Sequence, residues 1–144
     1  MKILSFIASL FESKKATDKE VLQILKEGAI LATEDAKRLN YKLDYSDNSI
    51  KSVDKILLKF RKDYFKTKHE KQLETLALVF GLYIIEVYER NHGQGYLQRR
   101  LTGHSKDDFP YYRKGEFIFP CIWCLNRLFD ESAEDVWVKY NSHI

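Results

Sequence analysis

Residues 73–88 read LETLALVFGLYIIEVY, a run whose middle is apolar in every direction. At a helical pitch Leu73, Leu76, Ala77, Phe80, Ile84 and Val87 share one face, while Leu78, Leu82 and Ile85 lie on the other side. A helix apolar all round has to be covered all round. The run falls short of the roughly 20 predominantly apolar residues a bilayer span needs, and Thr75, Gly81, Tyr83 and Glu86 interrupt it. It therefore reads as the buried central helix of a soluble domain. His69 and Glu70 open that helix, and it is expected to run to about His92, before Gly93 and Gly95 break it.

Three further helices are expected on its N-terminal side. Met1–Phe11 places Ile3, Phe6, Ile7, Leu10 and Phe11 at amphipathic spacing, and no small-residue cleavage site follows, so it reads as a first helix rather than a leader peptide. Its apolar face would dock on the core, or make a homodimer contact, or touch a membrane surface weakly. Thr17 and Glu20 form a capping box for the second helix. Gly28, Ala29, Ala32 and Ala36 keep the middle of that helix small, which invites close approach by the central helix. Tyr41, Leu43 and Tyr45 then alternate toward the turn-rich residues 46–49, as an extended connection or short edge strand.

Lys51–Lys68 is the expected third helix and the most asymmetric in charge. Val53, Ile56, Leu57, Phe60 and Tyr64 make its buried face, and Lys51, Lys55, Lys59, Lys62 and Lys66 line up opposite. Asp54 and Asp63 are read as the acids that offset this stripe, and Arg61 is the only arginine among them. Such a stripe is either a solvated helix face or a surface for phosphates or an acidic partner.

Beyond Gly95, Tyr96–Leu101, Phe109–Arg113 and Glu116–Phe119 read as three strands, the last two joined by a tight turn at Lys114-Gly115. Pro120 ends the last strand, and helices are expected over Cys121–Phe129 and Ala133–Tyr140. The expected fold class is therefore α+β in one domain over residues 1–144: a helical N-terminal half, a small antiparallel three-stranded sheet and two C-terminal helices. Only 6 glycines and 2 prolines in 144 residues favour helices over a many-turned β fold, and 14% aromatic content argues for a packed interior.

Glu86 is the first candidate for chemistry, because a carboxylate inside an apolar run must be paired, hydrogen-bonded or protonated. Arg90, one turn on, is its local partner; Arg99, Arg100 and Arg127 are remote ones. Glu86, Arg90, Arg127 and Tyr83 are expected to form a structural polar core that fixes the sheet on the helix, with an acid/base role for Glu86 as the alternative. Cys121 and Cys124 have redox spacing at a helix start, but without a βαβ context they read as small buried core residues. His92, His104 and His143 stand at no recognised ligand spacing, so neither a metal nor a cofactor is expected. The loop 101–108 is the most polar connection.

Tyr83, Glu86, Arg90, Gly93, Tyr96, Pro120 and Arg127 together resemble the pattern of a family of small bacterial domains of unknown function. In that pattern a helix carries Tyr-x-Gly-Glu followed by Arg and Gly, an aromatic begins a strand, and a later strand ends in Pro before an Arg-bearing helix. Ile85 stands at the family's Gly, and Tyr96 where Trp is common. The likeness covers roughly the second half of the chain; it implies an α+β fold and carries no established activity.

A formal charge of +3 does not by itself imply nucleic acid, and no phosphate loop, nucleophile elbow or Ser/His/Asp order is visible. The leading expectation is a non-catalytic protein-binding domain of a bacterial cytoplasm, such as an immunity protein or inhibitor of a partner. Its basic helix stands apart from an acidic patch at Asp130–Asp135, a division suited to charge-complementary recognition. The alternatives are a nucleic-acid or anionic-surface binder using Lys51 to Lys66, and an enzyme using Glu86.

Overall fold

The computed structural model describes residues 18–67, 70–93, 95–97, 110–130 and 132–144. Helix α1 is Asp18–Arg38; a 3-10 turn at Asp47–Ser49 leads into α2, Ile50–Thr67, and α3 is Glu70–His92. Strands β1 (Tyr96–Leu97), β2 (Tyr111–Arg113) and β3 (Glu116–Ile118) follow, then α4 (Pro120–Phe129) and α5 (Val136–Ser142). The Met1–Phe11 segment and Thr17 lie outside the described residues.

The expected three-stranded sheet does not form as such. Among the described residues the sheet is in substance a two-strand antiparallel hairpin of β2 and β3, with Tyr96 and Leu97 paired at its edge, opposite Tyr112 and Tyr111; residues 98–101 of the expected first strand lie outside the described part. The chain is mainly helical, with five α-helices among the described residues, and is α+β only in that broad sense. Proline shortens the last strand: Pro120 turns the chain into α4 at its first position, which ends β3 at Ile118 rather than Phe119. Strand β2 follows Pro110, and Phe109 lies outside the described residues. The hairpin turns on Lys114 (φ +48) and Gly115 (φ +81), the paired positive angles that a two-residue loop needs.

Helix α1 stops by a mechanism its sequence encodes. Asn40 takes a left-handed conformation (φ +64), its N–H bonds the Lys37 carbonyl, and the Tyr41 N–H reaches back to Ala36 at 2.9 Å. The chain after it is an extended connection without strand pairing; Leu43 is buried from it. Ser46 caps the 3-10 turn by accepting the Ser49 N–H. Helix α5 begins three residues later than expected, at Val136, because the Asp135 side chain accepts the Trp137 N–H at 2.7 Å and so defines the cap there.

Helix α3 is the hub. Every residue from 79 to 88 is buried, Gly81 and Glu86 included. Helix α1 crosses it at Gly28, where an added Cβ would overlap the end of Leu82 and lie 3.2 Å from its Cβ. On another side α4 comes so close that a Cβ on Gly81 would lie 2.7 Å from the Cys121 amide nitrogen. Four tyrosines, Tyr83, Tyr88, Tyr111 and Tyr140, are among the largest fully buried side chains. Each hydroxyl finds a partner: Ser49, the Tyr140 carbonyl, Glu89 and Asp47 respectively.

The two glycines predict opposite sensitivities. Gly81→Ala meets backbone that cannot yield and should lower the unfolding free energy by about 3 kcal/mol. Gly28→Ala meets no backbone, only the Leu82 side chain, and gains helix propensity, so it should cost clearly less than Gly81→Ala, about 1 kcal/mol. Urea unfolding of both variants measures the contrast.

Candidate functional site

Tyr83, Glu86 and Arg90 stand three and four residues apart on α3 and so share a face. Arg90 Nε donates to Glu86 Oε1 at 3.1 Å; the Glu86 side chain is only 10% exposed and that of Arg90 51%. The Arg90 guanidinium lies 3.6 Å above the Tyr45 ring. Tyr83 does not join this pair. Its oxygen accepts the Tyr45 N–H at 2.9 Å, and its hydroxyl proton goes to Ser49 Oγ at 2.7 Å, because the Ser49 hydroxyl already donates to the Ser46 carbonyl. A one-way relay thus runs from the residue 45 amide through two hydroxyls to residue 46.

Two expectations about this polar core are corrected. Arg127 is remote from Glu86: it grips Asp54 on α2, Nε to Oδ1 at 2.8 Å and Nη2 to Oδ2 at 3.0 Å. Nor does Glu86 fix the sheet on the helix. That contact belongs to Glu89, which accepts the Tyr111 hydroxyl at 3.1 Å. Burial pushes the Glu89 carboxyl above its ordinary value, and the same burial, with Glu89 beside it, raises the Tyr111 phenol. Arg99 and Arg100 lie outside the described residues.

The Asp54 and Arg127 pair closes three helices together. Arg127 Nη1 also donates to the Ala133 carbonyl at 3.0 Å, and Asp54 Oδ1 takes the Val136 N–H at 3.2 Å, so α2, α4 and the start of α5 meet on one carboxylate. Its hydrogen bonds to Asp54 keep Arg127 firmly protonated. Asp135 is raised, first by burial and then by the neighbouring Asp54 charge. Asp54, expected to offset the lysine stripe, is instead turned inward and paired with Arg127. Ile50, Asp54, Leu57 and Arg61 recur at spacings of four and three, and all are buried. That spacing was the available signal.

A second cluster had no signal in the sequence, because its members are 45 and 93 residues apart. Asp47 accepts the Tyr140 hydroxyl and sits 2.9 Å from His92 Nε2 through each of its oxygens. Arg113 donates to the His92 carbonyl at 3.3 Å and to the His143 carbonyl at 3.0 Å, with its guanidinium 4.6 Å from the Tyr88 ring centre. Burial, then the hydrogen bond and charge of Asp47, raise the Tyr140 phenol well above its ordinary value. The cluster joins the end of α3, the 3-10 turn, β2 and α5.

On α2, Lys51, Lys55, Lys59 and Lys62 are exposed; Lys51 Nζ lies 4.9 Å from the Trp137 ring centre, and the Lys66 side chain is outside the described part. The acidic patch is largely occupied locally. Asp130 accepts from Ser132 N and Oγ, which hold its carboxyl below the usual range, Glu134 pairs with Lys139 at 3.7 Å, and Asp135 caps α5. Cys121 and Cys124 are both buried, and burial raises the Cys124 thiol well above its ordinary value, the opposite of what an attacking thiolate needs. Among the described residues no group of three or more His, Cys, Asp or Glu is placed to hold a metal ion, and no helix is long and apolar enough to cross a membrane. His104 and the loop 101–108 lie outside the described residues.

No protein-family model, curated protein or solved structure matches this chain.

Asp54→Ala would strand the Arg127 guanidinium in the interior and should cost about 3–5 kcal/mol in chemical denaturation. Glu89 makes a pH prediction. Its folded-state pKa is raised, so as pH climbs past the ordinary 4.5 the unfolded chain releases this proton while the folded chain still holds it. Stability contributed by this group is thus lost as pH rises through that window. Glu89→Gln should flatten the fall, seen as a smaller slope of unfolding free energy against pH.

Proposed function

We propose that this protein is a non-catalytic binding domain that recognises an acidic protein surface through the lysine face of α2, in the manner of an immunity protein or inhibitor acting in a bacterial cytoplasm. The observation that carries the reading is the inward turn of Asp54. With that carboxylate committed to Arg127, it no longer neutralises its neighbours Lys51, Lys55, Lys59 and Lys62, which stand exposed along one side of the helix. Charges arranged in this way raise association rates and select partners of opposite sign. The buried acids Asp54 and Glu86 are each held by an arginine, which supports an architectural role for them over acid/base work.

Affinity capture with the full chain from a lysate of its native host tests this, run with and without nuclease at low and moderate salt. One protein recovered in near-equal amount with nuclease present, and lost on Lys55→Glu/Lys59→Glu/Lys62→Glu, is the expected result. Nucleic acid recovered instead, falling steeply as salt rises, would transfer the stripe to phosphate binding and overturn the protein-partner reading.

A further inference from the structure

Tyr45 occupies φ +65, a left-handed conformation rare for a bulky residue. Asn40 and Lys114 share it, but the first ends a helix and the second turns a hairpin. Tyr45 does neither. It is nonetheless held there from several sides: its N–H goes to Tyr83 Oη at 2.9 Å, its carbonyl takes the Asn91 Nδ2 at 2.8 Å, and its ring centre is 5.1 Å from that of Tyr83. Strain that the surroundings enforce so thoroughly marks a position whose geometry is used.

The geometry serves Arg90. The Tyr45 ring supports one face of its guanidinium at 3.6 Å, and buried Glu86 fixes the Nε corner at 3.1 Å. A flexible cation is thereby set as a plane of fixed tilt. Its Nη1 and Nη2 have no acceptor among the described residues, while the side chain is 51% exposed. Two parallel N–H donors on a fixed plane match the two oxygens of a carboxylate or phosphate.

We propose that the outer edge of Arg90 is a binding site for an oxyanion, taken in bidentate fashion, and that its ligand is a carboxylate. The choice follows from charge. Glu86 offsets the arginine, and beside it Glu89 and Lys26 stand near enough to interact and are of opposite sign, so the neighbourhood has little net positive field. Recognition here rests on the fork's shape, which suits a monoanionic carboxylate better than a phosphate dianion. This site is separate from the lysine face of α2 and does not depend on its role.

The test is NMR of the Arg90 Nε–Hε group in the full chain near neutral pH. Sodium acetate is titrated against sodium chloride at matched ionic strength, with inorganic phosphate in a parallel arm. Acetate should move the resonance saturably and chloride should not. Backbone amides of Tyr45 and Asn91 follow binding in variants: Arg90→Lys, which keeps the charge but not the fork, should weaken it at least about tenfold, and Tyr45→Gly, which removes the platform, should weaken it too. Tyr45→Phe should retain it. Equal response to chloride, absence of saturation, or undiminished binding in Arg90→Lys would overturn the site, and phosphate saturating at lower concentration than acetate would overturn the carboxylate assignment.

Discussion

Ten consecutive residues of α3, from Val79 to Tyr88, have no face left for solvent, and the rest of the chain is arranged by that constraint. A helix covered on all sides needs neighbours at several azimuths, and two of them gain their approach by glycine: α1 at Gly28 and α4 at Gly81. Full cover also forbids loose polar groups. Glu86 and the hydroxyls of Tyr83 and Tyr88 enter the interior with the helix, and each is met by a specific partner: Arg90, Ser49 and the Tyr140 carbonyl. Among the described residues no buried side-chain polar atom lacks a hydrogen-bond partner.

Apart from Arg90, which α3 itself supplies, the partners of groups on and around α3 come from short elements. The 3-10 turn at Asp47–Ser49 supplies two of them, Ser49 to Tyr83 and Asp47 to His92 and Tyr140, so three residues of chain organise polar contacts on both sides of α3. The hairpin contributes Tyr111 and Arg113, whose alternate positions face inward while Tyr112 faces out. Small elements can do this because a buried hydrogen bond orders the groups it joins at little cost in chain length, whereas a sheet able to bury its own core would need longer strands.

Charge is sorted by depth. Acids at 54 and 86 are drawn inward onto arginines, lysines at 51, 55, 59 and 62 are left outside, and before α5 Asp135 caps its start while Asp130 binds nearby backbone. Arginine suits the inner task because its planar fork can hold a carboxylate and a carbonyl together, as Arg127 does. Lysine suits the outer one, with its stem on the helix and its head in water.

The sequence by itself determined the central helix, its end near Gly93, the small-residue contact with α1, the lysine face and the Lys114-Gly115 turn, since each depends on spacing or backbone angle within a few residues. It also showed that Glu86 needed a partner and that Arg90 was within reach. It overstated the sheet, because alternation over a few residues does not reveal how short the pairing is or that Pro120 ends it at Ile118. Only the tertiary structure decided that Arg127 belongs to Asp54, that Glu89 and not Glu86 meets the sheet, that Asp47, His92 and Tyr140 converge, and that Tyr45 is strained beneath Arg90. Those pairings join residues 22 to 93 positions apart, Tyr45 and Arg90 being forty-five apart, and no local periodicity carries such distances. They are settled when packing brings distant elements together and each buried polar group must find a partner there.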